Sequence, residues 1–322
     1  MSNRERGSGI CNSRLFRRQH ELAGALGNED HRLNNVKDLV RFFRVSTNGI
    51  GIHVAEAGPP GGPLVFLLHG FPEFWYGWRN QIPYLAERGF RIIAPDQRGY
   101  NLSDKPAGIR SYHLDELAAD IVGLADHFGQ KAFDIVGHDW GASVGWWLAG
   151  KHVSRIRRLA VLNAPHPAVW LDFMRNHPVQ RRKSRYVRLL QIRRLPEFMA
   201  RLSGFDALTK PFRDSIRSDA FTDGDLKIYR GAWSQPGAIT AMINWYRALF
   251  TESIGPALEY HISCPTLVIW GKRDAYAEPD LAEASARLCI HARIQYFDQS
   301  THWVQHDEPD RVSSLLTNFL RE

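Results

Sequence analysis

Six short apolar runs separated by helical stretches constrain the fold of this 322-residue chain more than any other feature. Each run is bounded by glycine, proline or aspartate, and the runs read PLVFLLHG, RIIAPD, FDIVGHD, RLAVLNAP, TLVIWGKRD and RIQYFD. The stretches between them, such as residues 114–128 and 142–151, repeat apolar residues every three or four positions, as amphipathic helices do. Near-continuous apolar strands that alternate with helices predict an α/β fold, with a mostly parallel sheet covered by helices on both faces.

The alternation of strand and helix patterns stops after RLAVLNAP and returns only at TLVIW. The segment between these runs has helical periodicity and interleaved aromatic residues. We therefore predict a core formed by residues 36–166 and 256–322, with an α-helical lid, residues 167–255, inserted between two core strands. Residues 1–35 are polar and irregular, and we predict that they are a flexible N-terminal extension.

Composition narrows the class of protein. A hydrophobic fraction of 44% suits a soluble globular protein with a large core. No run approaches the roughly 20 apolar residues of a membrane span, and the first fifty residues hold no stretch typical of a signal peptide. We therefore predict no transmembrane segment and a cytoplasmic location. Cys11, Cys264 and Cys289 lie far apart without the spacing of a zinc site, so we predict reduced thiols.

Positive charge is concentrated in one segment of the chain. The chain has 41 basic and 34 acidic residues, a net charge of +7. Residues 175–217 alone hold 12 lysines and arginines against three acidic residues, a local excess of nine. A nucleic-acid or membrane-surface role would account for this excess. No recognition motif accompanies it, so we favour a solvated helical face and predict no nucleic-acid partner.

The stretch VGHDWGAS contains the strongest candidate for a nucleophile. Gly137 and Gly141 flank Asp139 at the two positions where a side chain would collide with a tight turn. FDIV before the turn and WGASVGWWLA after it supply the strand and the helix that such an elbow requires. A carboxylate at the apex can attack an electrophilic carbon and form an ester with its own side chain. An ordinary esterase is disfavoured, because Ser143 lies in the helix and not at the apex.

Release of an ester on Asp139 needs a base that activates water and an acid that orients the base. His302 follows the last strand and completes the chain order nucleophile, acid, base, whereas His306, one helical turn later, is expected to point away. Asp274 follows the strand TLVIW and is the predicted acid of this catalytic triad. The other position that can hold such an acid contains the neutral Asn163.

Attack of water on the ester develops an oxyanion, which two backbone N–H groups should face. One donor is predicted at Trp140, after the nucleophile, and the other at Phe71 in the loop HGFPEFW. Pro72 suits a rigid loop there, with a cis bond as one form. Pro72, Trp75 and Trp303 are predicted to line the substrate pocket. Side chains and backbone N–H groups serve every step, so the sequence implies no metal and no organic cofactor.

These motifs resemble the epoxide hydrolase family of the α/β-hydrolase fold, from about residue 42 to the C-terminus. The resemblance is carried by HGFPEFWYGWRNQIPYLAERGFRIIAPDQRGYNLSDKP, VGHDWGASVGW and NAPHP, and by the lid pieces SRYVRLLQ and AMINWYRAL. It implies hydrolysis of a small-molecule epoxide by water to a vicinal diol, through a covalent ester on Asp139. It also implies that two lid tyrosines, Tyr186 and Tyr246, protonate the epoxide oxygen. Thr301 departs from the family, which usually has glycine before the base.

Two other interpretations of the sequence remain open. A haloalkane dehalogenase would use the same aspartate, and Trp140 could donate its indole N–H to a halide; those relatives, however, often have asparagine at the position of Phe71. Fluoroacetate dehalogenases place an arginine where this chain has Trp140. A non-catalytic binding protein on the same scaffold is the second reading. The sequence leaves open the identity of the substrate and whether the protein is a monomer or a homodimer.

Overall fold

The computed structural model describes residues 36, 38–257 and 260–322 of the chain. The predicted N-terminal extension, residues 1–35, lies outside the described residues. Residues Leu39–Glu322 cluster as one unit, which holds the sheet and all the predicted site residues.

The described residues of this unit contain an eight-stranded sheet. The strands are β1 (Arg41–Thr47), β2 (Ile50–Ala57), β3 (Leu64–Leu68), β4 (Arg91–Pro95), β5 (Phe133–His138), β6 (Ile156–Leu162), β7 (Thr266–Gly271) and β8 (Ala292–Phe297). Their order is β1-β2-β4-β3-β5-β6-β7-β8, and only the pairs that involve β2 are antiparallel. β3, β5 and β7 are buried along their whole length, as strands covered on both faces must be. The predicted mostly parallel sheet is confirmed.

Helices follow most of the strands. They are α1 (Gln81–Ala86), α2 (Leu114–His127), α3 (Trp140–Lys151), α4 (Pro167–Asn176), α5 (Pro178–Lys183), α6 (Tyr186–Leu190), α7 (Leu195–Leu202), α8 (Asp206–Thr209), α9 (Asp223–Trp233), α10 (Ala238–Ala248), α11 (Asp280–Ala286), α12 (Val304–Asp307) and α13 (Pro309–Arg321). Short 3-10 helices span Trp75–Trp78, Arg110–Tyr112, Val153–Arg155 and Lys210–Asp214. Helices α4 to α10 lie between β6 and β7 along the chain, where the sequence predicts a helical insertion.

The helices of the described residues do not include one with both the length and the apolar character that a bilayer crossing requires.

The turn from β5 to α3 consists of a single residue, Asp139. Its backbone has φ 49° and ψ −119°. Residues other than glycine rarely adopt this conformation, and those that do are concentrated at functional sites. A Cβ atom at Gly137 would lie 2.5 Å from the carbonyl oxygen of Gly141, and one at Gly141 would overlap the carbonyl group of Leu68. Both glycines are therefore required by the close approach of the backbone.

Candidate active site

Three of the predicted side chains meet where the carboxyl ends of the parallel strands lie. Asp139 follows β5, Asp274 follows β7 and His302 follows β8. The Nε2 atom of His302 lies 3.7 Å from Asp139 Oδ2, and its Nδ1 atom lies 2.8 Å from Asp274 Oδ2. The imidazole therefore stands between two carboxylates and faces each of them with a different ring nitrogen.

Asp274 is held by four hydrogen bonds. Besides the bond to His302, its Oδ2 atom accepts from the side-chain amide of Asn163 at 2.8 Å. Its Oδ1 atom accepts from the backbone N–H groups of Tyr276 and Ala277 at 2.7 and 3.0 Å. Burial raises the pKa of this carboxyl, but the charge and hydrogen bond of His302, with these further donors, bring the pKa below its ordinary value. Asn163, which is neutral and cannot itself serve as the acid, thus positions Asp274.

His302 carries an unusually basic imidazole. Burial lowers its pKa, but the charge and hydrogen bond of Asp274, the charge of Asp139 and that of Glu73 together raise it to about 9. The imidazole is therefore protonated at neutral pH as long as both neighbouring aspartates are ionised. Its protonation depends on the charge state of Asp139.

The substitution Asp139→Asn should lower the pKa of His302 below about 9, because it removes one of the negative charges that raise it. The measurement is an NMR titration of the imidazole nitrogens. Asp298→Asn is the matched control, since Asp298 is exposed and pairs with Lys272; this change should leave the pKa of His302 in place. An identical pKa in the Asp139→Asn variant would show that the two side chains do not interact.

The two carboxylate oxygens of Asp139 have different surroundings. Oδ1 accepts the backbone N–H of Phe71 at 2.7 Å, whereas Oδ2 is the oxygen that faces His302. A Cβ atom at Gly70 would overlap the Asp139 side chain, so glycine lets this loop approach the carboxylate. Trp140 is the first residue of α3, where backbone N–H groups have no acceptor within the helix. The N–H of Phe71 therefore bonds the carboxylate, and the N–H of Trp140 belongs to the next residue of the chain.

The two tyrosines predicted from the insertion stand together. The ring centroids of Tyr186, at the start of α6, and Tyr246, in α10, are 5.9 Å apart. Both residues line the same cavity as Asp139. Burial of the hydroxyl groups, with the charge of Asp139 as a further cause, raises the pKa of both phenols above its ordinary value. Both hydroxyls consequently keep their protons at neutral pH and are available as donors.

A cavity of about 400 Å³ lies against Asp139 and His302. This volume falls within the range of small-molecule sites, roughly 300 to 1,000 Å³. Pro72 and Trp303 line it, and the bond between Phe71 and Pro72 is cis. Most of the remaining wall is apolar and comes from the helical insertion. The lining includes Leu189, Leu190, Pro196, Ala200, Ile239 and Ile243.

The structure places the side chain of Trp75 away from the main cavity. Among the residues that the structure describes, Trp75 is not part of the cavity lining. Its ring packs edge-on against Phe42 of β1, with centroids 5.0 Å apart, and its backbone N–H bonds to Asp96. The 3-10 helix that begins at Trp75 therefore directs this side chain toward the strand β1 and away from the cavity.

Tyr276 is a further residue of the site that was not among those predicted from the sequence. This residue lines the main cavity and a second cavity of about 70 Å³, which also contacts Asp139 and His302. Its ring centroid lies 5.2 Å from that of His302 and 5.8 Å from that of Tyr186. Its position two residues after Asp274, in the stretch KRDAY, is the sequence feature that could have indicated a place in the site.

A buried polar network lies behind His302. The ring of His138 is 2.9 Å from the His302 carbonyl oxygen and 3.4 Å from Glu73. Glu73 also contacts His306 at 2.9 Å and accepts from the hydroxyl of Tyr229 at 2.6 Å. Burial raises the pKa of Glu73, but His306 and His138 bring it well below its ordinary value. His306 is thus engaged with Glu73, which agrees with the expectation that it points away from Asp139.

Comparison with known proteins places these residues in a family. The family described as alpha/beta hydrolase fold matches residues 63–309. The chain is 44% identical over 284 residues to the AB hydrolase superfamily protein YfhM of Bacillus subtilis (strain 168). This match covers 88% of this chain and 99% of that protein. It is 38% identical over 288 residues to Epoxide hydrolase 4 of Mus musculus, covering 87% of this chain and 79% of the mouse protein.

Solved structures show the same likeness. The crystal structure of Bacillus megaterium epoxide hydrolase in complex with an inhibitor matches with a TM-score of 0.79 and 30% sequence identity. The match covers 87% of this chain and 100% of the bacterial one.

Proposed function

The chain belongs to the epoxide hydrolases of the α/β-hydrolase superfamily, and we propose that it converts an epoxide to a vicinal diol through a covalent ester on Asp139. One observation carries the proposal. The carboxylate of Asp139 faces a histidine that is held by a second aspartate, and two protonated tyrosines line the same cavity. This arrangement supplies a nucleophile, a base and proton donors in one site.

Ring opening is assigned to Asp139 and the tyrosines. The Oδ2 atom of Asp139 attacks one ring carbon, the bond from that carbon to the ring oxygen breaks, and the electron pair stays on the oxygen. The hydroxyls of Tyr186 and Tyr246 hydrogen-bond this oxygen, and one of them transfers its proton to it. Acid assistance matters because an alkoxide is a poor leaving group without a proton.

Formation of the ester changes the charge around His302. Esterified Asp139 is neutral, so one cause of the raised His302 pKa disappears. The imidazolium then loses its proton, which restores the tyrosine hydroxyl. The protein thereby converts its histidine into a neutral base at the step that needs one.

Hydrolysis is assigned to His302 and the backbone donors. The Nε2 atom of His302 takes a proton from water, and the oxygen of that water attacks Cγ of Asp139. Negative charge develops on Oδ1, which already accepts the N–H of Phe71 at 2.7 Å, and the backbone N–H of Trp140 is assigned as the second donor. The bond between Cγ and Oδ2 then breaks, the alkoxide takes the proton of His302, and the carboxylic acid gives its proton back to the imidazole.

The helical insertion acts as a lid in this proposal. It contributes Tyr186 and Tyr246 and much of the apolar wall of the cavity, so the substrate is an epoxide with a mainly apolar body. A haloalkane dehalogenase is not favoured, because the mouse relative and the Bacillus megaterium structure named above are epoxide hydrolases. In addition, the side chain of Phe71 has no donor for a halide.

A single turnover in water labelled with oxygen-18 tests the ester step. Water attacks Cγ of Asp139 and not the substrate, so the first diol formed from styrene oxide should carry no label. The label should appear instead in the peptide that contains Asp139. Mass spectrometry of the diol and of the digested protein, with the protein in excess over the epoxide, measures both.

The control for this experiment is unlabelled diol incubated with the protein in labelled water, which should gain no label. Direct attack of water on the epoxide would place the label in the diol at the first turnover. That result would contradict the covalent mechanism and leave general epoxide hydrolysis standing.

A further inference from the structure

Helix α7 turns apolar side chains toward solvent. Leu195, Phe198, Met199 and Leu202 occupy positions i, i+3, i+4 and i+7, and therefore share one side of the helix, here named the α7 face. Their exposed fractions are 40, 61, 46 and 76%. An apolar stripe of this spacing usually packs against the core of a protein, so its exposure here needs an explanation.

The opposite side of α7 faces the interior of the protein and is held there by its contacts. Pro196 and Ala200 line the main cavity. Glu197 is buried and pairs with Arg247 of α10, with Arg247 Nη1 and Glu197 Oε1 2.6 Å apart. Arg247 also donates from Nη2 to the carbonyl oxygen of Ile192, just before the helix, at 2.8 Å. The ion pair and the cavity wall together set the rotation of α7, and the α7 face consequently points outward.

Exposed arginines flank the α7 face. Arg193 precedes the helix and Arg201 lies in its last turn, and both are exposed. Neither forms an ion pair with a residue in the described part of the chain. They belong to the basic segment 175–217, which has an excess of nine positive charges. Exposed leucine and phenylalanine beside arginine are typical of helices that lie in a membrane interface.

The mouth of the main cavity lies next to the α7 face. Met199 belongs to this face and also lines the cavity. Leu189, 39% exposed, and the exposed Lys210 line the cavity as well. An apolar molecule that leaves a surface in contact with the α7 face would therefore meet the entrance of the cavity.

We propose that the α7 face and its flanking arginines dock on an anionic lipid surface. A lipid surface accounts for both features, since the interface takes up apolar side chains and the headgroup phosphates attract the arginines. A second copy of the chain would bring two basic segments together, and like charges repel. A nucleic acid would pair with the arginines but would leave the apolar stripe exposed. Delivery of an apolar epoxide from the lipid to the cavity rests on the proposed function, whereas docking itself does not.

Vesicle flotation of the full chain tests this proposal. We expect binding to vesicles of phosphatidylcholine mixed with phosphatidylglycerol at low salt. Binding to vesicles of phosphatidylcholine alone should be weaker by a factor of roughly ten or more. The double variants Phe198→Glu/Leu202→Glu and Arg193→Glu/Arg201→Glu should each lose most of the binding. None of these four residues lines the cavity among the described residues, so hydrolysis of dissolved styrene oxide should be unchanged. An unchanged circular dichroism spectrum would show that the variants are folded, whether or not the protein hydrolyses this epoxide.

Two exposed residues near the amino ends of strands serve as matched controls. Ile290 precedes β8 and is 65% exposed, and Lys131 precedes β5. Both lie at the edge of the sheet opposite to the active site. Ile290→Glu controls for the loss of an exposed apolar side chain and Lys131→Glu for the reversal of an exposed charge. Both variants should bind vesicles as the unchanged protein does.

Several results would overturn the proposal. These are equal binding to neutral and mixed vesicles, no binding to either, or the same loss in the controls as in the α7 variants. Binding of oligo-dT that only the arginine variant loses, without vesicle binding, would identify a nucleic-acid site. A dimer in light scattering that Phe198→Glu/Leu202→Glu dissociates would identify a second copy as the occupant. Because flotation needs no turnover, its outcome is independent of the proposed activity.

Discussion

Replacement of His302 with alanine should stop the reaction after ring opening and leave the substrate esterified to Asp139. Attack by Asp139 needs no base, whereas hydrolysis of the ester needs the Nε2 atom of His302, which faces Asp139 Oδ2. Loss of a general base costs about 10²- to 10⁴-fold in turnover. Mass spectrometry after exposure to an aryl epoxide should show the mass of the intact epoxide on the peptide with Asp139, since no atom leaves.

A haloalkane offered to the same variant distinguishes the alternative chemistry, because its adduct would be an alkyl group without the halogen. His291→Ala is the matched control, since His291 is exposed; this variant should turn over normally and accumulate no adduct. Addition of Asp139→Asn to the His302→Ala variant should abolish the adduct. Failure to form an adduct with either substrate would remove Asp139 as the nucleophile and favour a binding protein on this scaffold.

The close approach of Asp139, Asp274 and His302 could be predicted because it depends on topology and on local backbone geometry. Asp139, Asp274 and His302 each follow an apolar run, and the carboxyl ends of parallel strands meet at one edge of the sheet. The elbow at Asp139 is a local feature, and the overlaps that Cβ atoms would make at Gly137 and Gly141 show why the spacing identifies it. Both kinds of information are present in a short stretch of sequence.

The directions of side chains and their packing partners could not be predicted from short stretches of sequence. Trp75 begins a short 3-10 helix just after the loop that holds Phe71, but contact with Phe42 of a distant strand decides which way its side chain points. Asn163 was read only as a missing acid, although its amide holds the acid at Asp274. The helical period of α7 is visible in the sequence, but period alone does not show which side of a helix is buried.

The double substitution Tyr186→Phe/Tyr246→Phe should slow ring opening by about 10²- to 10⁴-fold, the range expected for loss of general acid catalysis. Each single change should cost less, because the other hydroxyl still faces the same cavity as Asp139. The measurement is the rate of ester formation in single-turnover experiments on the His302→Ala variant. The main change is expected in the rate constant and not in substrate affinity, since the hydroxyls interact most strongly with the developing alkoxide.

Two controls make this result specific. Tyr84→Phe removes the hydroxyl of a half-exposed tyrosine in α1 and should leave the rate unchanged. A halide leaves without a proton, so any slow alkylation of Asp139 by a haloalkane should be insensitive to the tyrosine substitutions. Equal losses with both substrates would mean that the two phenols shape the cavity and do not supply the proton. An unchanged rate with the epoxide would transfer the acid role to another donor, with Tyr276 next to His302 as the first to substitute.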